Sequence, residues 1–318
     1  MRCGGENRYG MHMMVERMTG LRALKSGLAA AAGLSLVAGC SLLDSTPSPT
    51  VTQVTTSTPA PVAVTATPSP SPDLAAVEAD ANPYARPLWL GANPLTIDPD
   101  TDLGTRASTP QELVDRQLEP PTFLPDPVSD EWVASFGPVP ADVVERSTWA
   151  ADCPVALDDL SYIMMPYWGF DQQVHQGEML IHSDDAADVV SVFKKIFEAQ
   201  FPIEEMRVIS KFDRDAPITG DHNITSGFTC RTIVGTSTSW SEHARGHAID
   251  INPFHNPYIR GDALFPELAE AYLDRDDERP GMIGEPGVVY DAFTAIDWYW
   301  GGQWPTHDDW MHFSSTNH

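Results

Sequence analysis

Apolar and polar positions follow two rhythms in the second half of the chain. Residues 178–182, EMLIH, form a short apolar run that predicts a strand. The spacing then changes. Ala186, Val189, Val190, Phe193, Ile196 and Phe197 fall on one face at helical spacing. Ser183 is the predicted N-cap of that helix, with Asp184 and Asp185 in its first turn, and Phe201-Pro202 ends it. Residues 206–212 predict a second strand and residues 248–252, AIDIN, a third. Pro286 opens another helix with apolar Val289, Phe293, Ile296 and Trp300, and Gly301-Gly302 closes it. Strands and helices interleave, with long irregular loops between them. The pattern predicts one α+β domain over residues 151–318: a small mixed sheet with packed helices.

The first half reads differently. Arg17, Arg22 and Lys25 precede an apolar run from Leu28 to Val37, followed by Ala38-Gly39-Cys40. A basic start, a short apolar core and small residues at the end predict a secretory signal over residues 1–39. The run is too short for a stable membrane span. Residues 1–10 do not suit a signal, so Met11, Met13, Met14 and Met18 are alternative starts. Small residues directly before Cys40 resemble the lipobox of bacterial lipoproteins. That resemblance implies lipid on Cys40 and an exported protein, anchored at the outer face of the cytoplasmic membrane or in the cell wall. Residues 40–80 are rich in Ser, Thr and Pro and bury too little to offset ordering, so they predict a linker. At ~3.1 Å per residue, about 30 such residues reach on the order of 90 Å. Residues 81–150 carry Pro, Asp and scattered aromatics without a sustained period, which predicts an extended arm packing loosely on the domain that follows.

Charge narrows the function. Lys plus Arg number 19 against 45 Asp plus Glu, a formal net charge of −26. Nucleic acid is excluded as a partner, because phosphate binding needs clustered cations. Electrostatic docking to anionic lipid is excluded too, so membrane contact would rest on the lipid anchor alone. A monomer is expected. The four cysteines have no C-x-x-C spacing, which argues against a cysteine zinc site. Cys153 and Cys230 fall in the folded part, and an exported protein permits a disulfide between them.

The candidate chemistry starts at residues 239–252, SWSEHARGHAIDIN. An aspartate sits in a strand where a core residue is expected, just after a His-Gly turn. On one helix, His243 and Asp250 would lie roughly 10 Å apart. A turn at Gly246 followed by a strand lets them converge on a metal, with Ala248, Asp250 and Asn252 on one side. Further on, Asp309 and His312 stand three apart among large apolar residues in WYWGGQWPTHDDWMHF. An acid and a histidine in such surroundings need a partner.

Ser241-x-His243-x-x-Gly246-x-Ala248-x-Asp250, followed by an acid-x-x-His-Phe, resembles the zinc D-alanyl-D-alanine carboxypeptidase family. That family includes the vancomycin-resistance D,D-peptidases and the L-alanyl-D-glutamate endolysins. The Trp300-Gly301-Gly302-x-Trp304 stretch leans towards the endolysins. The resemblance implies zinc in a central cleft, held by His243, Asp250 and His312, with Asp309 as general base where many members have Glu. It implies that Arg231 binds a substrate carboxylate and that Ser241 orients substrate or loop. The substrate would be a peptidoglycan stem peptide. Loss of a terminal D-Ala is the favoured reaction, L-Ala–D-Glu cleavage the alternative, and a non-catalytic wall-binding module the second alternative. His247, His255 and Asp308 are competing candidates for ligand, cleft and base. His182 is expected to be structural, Glu242 and His307 to face solvent, and residues 274–278 to be a solvated loop rather than a calcium site.

Overall fold

The largest sheet joins Ser135–Pro138 (β1), Leu160–Trp168 (β2) and Val174–His182 (β3), all antiparallel. The computed structural model describes residues 82–99, 103–233, 236 and 238–317. The signal, Cys40 and the Ser/Thr/Pro linker lie outside these residues. β2 and β3 pair along their full length, from Leu160 opposite His182 to Trp168 opposite Val174. The strand expected at 178–182 is the second half of β3. In β2, buried Ile163 and Met165 alternate with half-buried Tyr162 and Met164, so one face of the sheet is apolar.

A short helix, Ala141–Arg146 (α1), precedes this sheet's long hairpin, and Ala186–Glu198 (α2) follows it. The apolar face of α2 is as expected except that Val192 joins the buried set and Val190 is only half-buried. Its cap is not. Asp185, not Ser183, occupies the N-cap and makes no side-chain cap bond, because its carboxylate is held by His247 at 2.7 Å. The strand expected over 206–212 is also corrected. The strand is confined to Glu205–Met206 (β4), Ser210 makes only an isolated bridge to Ser147, and Lys211–Asp215 (α3) is helical. Ser210 and Asp213 form a capping box that starts this helix. The apolar letters misled because they do not share a face: Val208 is buried and Phe212 is 83% exposed.

Ile224–Thr225 (β5) runs parallel to β4. Next come Ala248–Asp250 (β6), Tyr258–Arg260 (β7) and Ala263–Phe265 (β8). Asn252 has left the strand at φ 44°, so it does not share the side of Ala248 and Asp250. The last helix, Val288–Thr294 (α4), is shorter than expected. Asp297 turns left-handed at φ 61° and the Trp298 amide closes back on Phe293, so Ile296 lies past the helix. Trp300 belongs to a strand, Tyr299–Trp300 (β9). Asp308–Asp309 (β10) and His312–Ser314 (β11) complete the fold. It is α+β as expected, with strands spread over small sheets ordered β6-β11-β9 and β10-β7-β8 rather than one mixed sheet.

The core lies between these sheets and the helices α2 and α4. Phe293 stacks on Phe313 at 4.2 Å and meets the edge of Phe193 at 6.3 Å. Each such side chain contributes about 1.5–3 kcal/mol on burial. The same residues orient the site. Period-two alternation sends Ile249 and Phe313 into the core and turns Asp250 and His312 the other way.

The arm packs tightly, not loosely. Arg116 is fully buried and bonds both oxygens of buried Glu204 at 2.7 Å. Leu113 and Leu118 join a second apolar cluster with Phe254 and Tyr272. Packing is tight because the arm brings its own apolar residues and an ion pair. Cys153 and Cys230 form a disulfide, which ties the segment before β2 to the chain entering Arg231.

Candidate metal centre

His243 sits in a single turn of 3-10 helix, Glu242–Arg245, capped by Ser241, whose hydroxyl accepts from the His243 amide at 3.3 Å. Gly246 ends the turn at φ 78°. A Cβ there would lie 2.7 Å from the His182 amide nitrogen, so the position needs glycine both for its backbone and for space. The Gly246 carbonyl accepts from that same amide at 2.8 Å, docking the turn on the end of β3. β6 then carries Asp250 to a position directly opposite His312 on β11.

Three side chains converge as a result. His243 Nε2 is 3.2 Å from Asp250 Oδ2 and 3.2 Å from His312 Nδ1, which is 3.1 Å from Asp250 Oδ1. All their ligand atoms lie within 4.8 Å of one another. His243 and His312 are buried. The Nδ1–H of His243 donates to the Gly227 carbonyl at 2.7 Å, so its Nε2 presents a lone pair to the cluster. Gly227 permits this approach: a Cβ there would lie 2.4 Å from the Leu180 carbonyl oxygen. Burial pushes the Asp250 carboxyl up, but the two facing histidines outweigh it and hold it well below the usual range. Two imidazoles and a carboxylate, drawn together with one lone pair already aimed inward, fit a divalent cation such as zinc.

Asp309 stands beside the cluster on β10, opposite Tyr258. Its Oδ1 is buried and has no hydrogen-bond partner among the described residues. Burial first, and the Asp250 charge second among the raising effects, push this carboxyl up to about 7, against the pull of His312 and Arg231. The cluster and Asp309 open onto a cleft of about 680 Å³ that Arg231, Ser241, Tyr258, Arg260 and Trp304 also line. Trp304 packs against the His312 ring at 5.3 Å. A second cavity of about 530 Å³ shares Arg231, His243, Asp250 and Met311, so the cleft continues past the cluster.

All the site residues expected from the sequence in this domain meet here. The competitors do not. His247 turns to Asp185 and stacks on His182 at 4.3 Å. Asp308 is absent from the cleft lining. His255 is buried under the arm, bonded to the Arg116 carbonyl at 2.8 Å. Glu242 and His307, expected to face solvent, are half-buried along the open cleft, where His307 packs on Trp304 at 4.9 Å. In the loop 274–278, Arg275 is held by carbonyls and the acids around it form no cluster suited to a metal. Tyr258, Arg260 and Phe265 escaped sequence reading, since each lies on a strand too short to show alternation.

These features define a buried His-Asp-His site with an adjacent carboxyl, on an α+β scaffold, opening to a peptide-sized cleft. A family model described as D-alanyl-D-alanine carboxypeptidase matches residues 234–315. The matched segment holds His243, Asp250, Asp309 and His312, in agreement with the resemblance read from the sequence, and excludes Arg231 and the arm. No curated protein and no solved structure matches the chain.

Proposed function

We propose that the chain is a zinc peptidase acting on peptidoglycan stem peptides, and that it removes the terminal D-alanine from D-Ala-D-Ala. The observation that carries this reading is the convergence of His243, Asp250 and His312 beside a buried carboxyl, one oxygen of which has no partner among the described residues. Zinc held by these three side chains would supply Lewis acidity to a water and to the scissile carbonyl. Asp309, held near 7, is suited to take a proton from water and hand it to the leaving amine. Arg231 has no carboxylate partner among the described residues, and its planar fork suits a substrate carboxylate. Ser241 fixes the His243 turn. The Cys153–Cys230 bond anchors the residue before Arg231.

One observation favours the alternative, L-Ala–D-Glu cleavage. The cleft runs on past the cluster, which leaves room for chain on both sides of the scissile bond. Export and a lipid on Cys40, proposed from the sequence, would place either activity at the wall.

The test is digestion of a pentapeptide muropeptide, with zinc content measured on the same sample. About one zinc per chain and release of a single D-alanine are expected. A break between L-Ala and D-Glu with D-Ala-D-Ala intact would select the alternative. Bound zinc with no cleavage would select the wall-binding module.

A further inference from the structure

The hairpin of β7 and β8 forms one wall of the cleft. Its register sets Tyr258 opposite Phe265 and Arg260 opposite Ala263. All four line the cleft, whereas Ile259 and Leu264 do not, as alternation requires. The wall is thus apolar and aromatic except for one guanidinium.

That guanidinium has no carboxylate within ion-pair distance among the described residues, although the chain holds 45 acids against 19 Lys plus Arg. Even Asp262, two positions on in the same hairpin, is not paired with it. Every other described arginine but Arg231 either pairs with a carboxylate or, in Arg275, is held by carbonyl oxygens. Of the three described arginines without an acid partner, Arg275 is held by four oxygens, while Arg231 and Arg260 both line the cleft. Burial pushes the Tyr258 hydroxyl up, against the pull of Arg260, so this neighbour on the same strand does not neutralise the guanidinium.

We propose that Arg260 is a specificity residue that binds a second substrate carboxylate, in addition to the one received by Arg231. The proposal rests on the carboxypeptidase reading. With the terminal carboxylate at Arg231, the group assigned to Arg260 is the free α-carboxylate of the stem's D-Glu residue. The enzyme therefore prefers stems in which that group is not amidated.

Two synthetic pentapeptides ending in D-Ala-D-Ala test this. They differ only in whether the D-Glu α-carboxylate is free or a primary amide. The wild type should favour the acid about fivefold in kcat/KM, the upper range for an ion pair at an open site. Arg260→Gln should bring the acid peptide down to the rate of the amide, and Arg260→Lys should restore part of the preference. Arg231→Gln should slow both peptides alike. Equal rates in the wild type, or an undiminished preference in Arg260→Gln, would overturn the proposal. A second readout is independent of turnover: calorimetric binding of both peptides to Asp309→Ala. Tighter binding of the acid supports the second carboxylate site, and equal binding overturns it. A wild type that releases no D-alanine counts against the carboxypeptidase reading alone.

Discussion

Asp308 and Asp309 are neighbours on one short strand, yet alternation gives them different surroundings. Asp309 is turned to the cluster, with a buried oxygen lacking a partner among the described residues, while Asp308 stands opposite Ile259 and outside the cleft lining. Asp309→Ala is expected to keep its zinc and its fold but to hydrolyse at least ~10²-fold more slowly, the lower range for loss of a general base. Asp308→Ala should stay near the wild-type rate. Steady-state kinetics beside zinc analysis read both, and the reverse pattern would move the base to Asp308. The identities of these residues were legible in the motif spacing. The choice between the two acids rested on the resemblance, and burial now supports it independently.

At the scale of elements, the site depends on a turn and a register. The turn brings His243 round to β6, and the antiparallel pairing of β6 with β11 sets Asp250 against His312. Gly246→Ala should disturb both. A left-handed φ costs a non-glycine residue roughly 1–2 kcal/mol, and the new Cβ would press on the backbone of His182. A fall in stability greater than that, with weaker zinc binding, is expected. Gly261→Ala is the control, since its φ is 58° but nothing lies within 4 Å of the added Cβ. Denaturant titration compares the two. Equal losses would show that contact with β3 does not matter. The turn was read correctly because glycine after histidine, followed by alternating residues, is a local signal. The strand expected over 206–212 was misread because the Ser210 capping box competes with a short apolar run.

At the scale of the whole molecule, the arm is part of the folded unit. Arg116 and Glu204 are 88 positions apart, and both are fully buried. Burial alone would raise the Glu204 carboxyl, but the Arg116 and Arg86 guanidiniums hold it down to about 2. Removing one partner of a buried pair costs about 3–5 kcal/mol, so Arg116→Ala should lower unfolding free energy by roughly that amount. A loss under ~1 kcal/mol would mean that the arm is dispensable. The same network makes folding acid-sensitive. Burial depresses His255 to about 4, from an ordinary value near 6.5. Between those pH values the unfolded chain binds a proton at this residue that the folded chain does not. Stability is therefore present above 6.5 and drains away as pH falls towards 4, by up to about 1.4 kcal/mol per pH unit. Unfolding curves across that range should be steeper in pH for the wild type than for His255→Gln. Parallel slopes would show that His255 is not buried neutral.

Local order in the chain determined a good deal. Period-two and period-3.6 spacing reported β3, α2 and β6, because each rhythm records which side of an element meets the core. The kinds and order of the site residues, His243, Asp250, Asp309 and His312, were also present in two short motifs. Tertiary structure alone decided how they meet. Strand register sets Asp250 opposite His312, and the Gly227 carbonyl aims the lone pair of His243. Folding also left Arg260 without an acid among the described residues while pairing Arg116 with Glu204. These are contacts between residues far apart in sequence. Their energies depend on burial and distance, which no local window of residues contains.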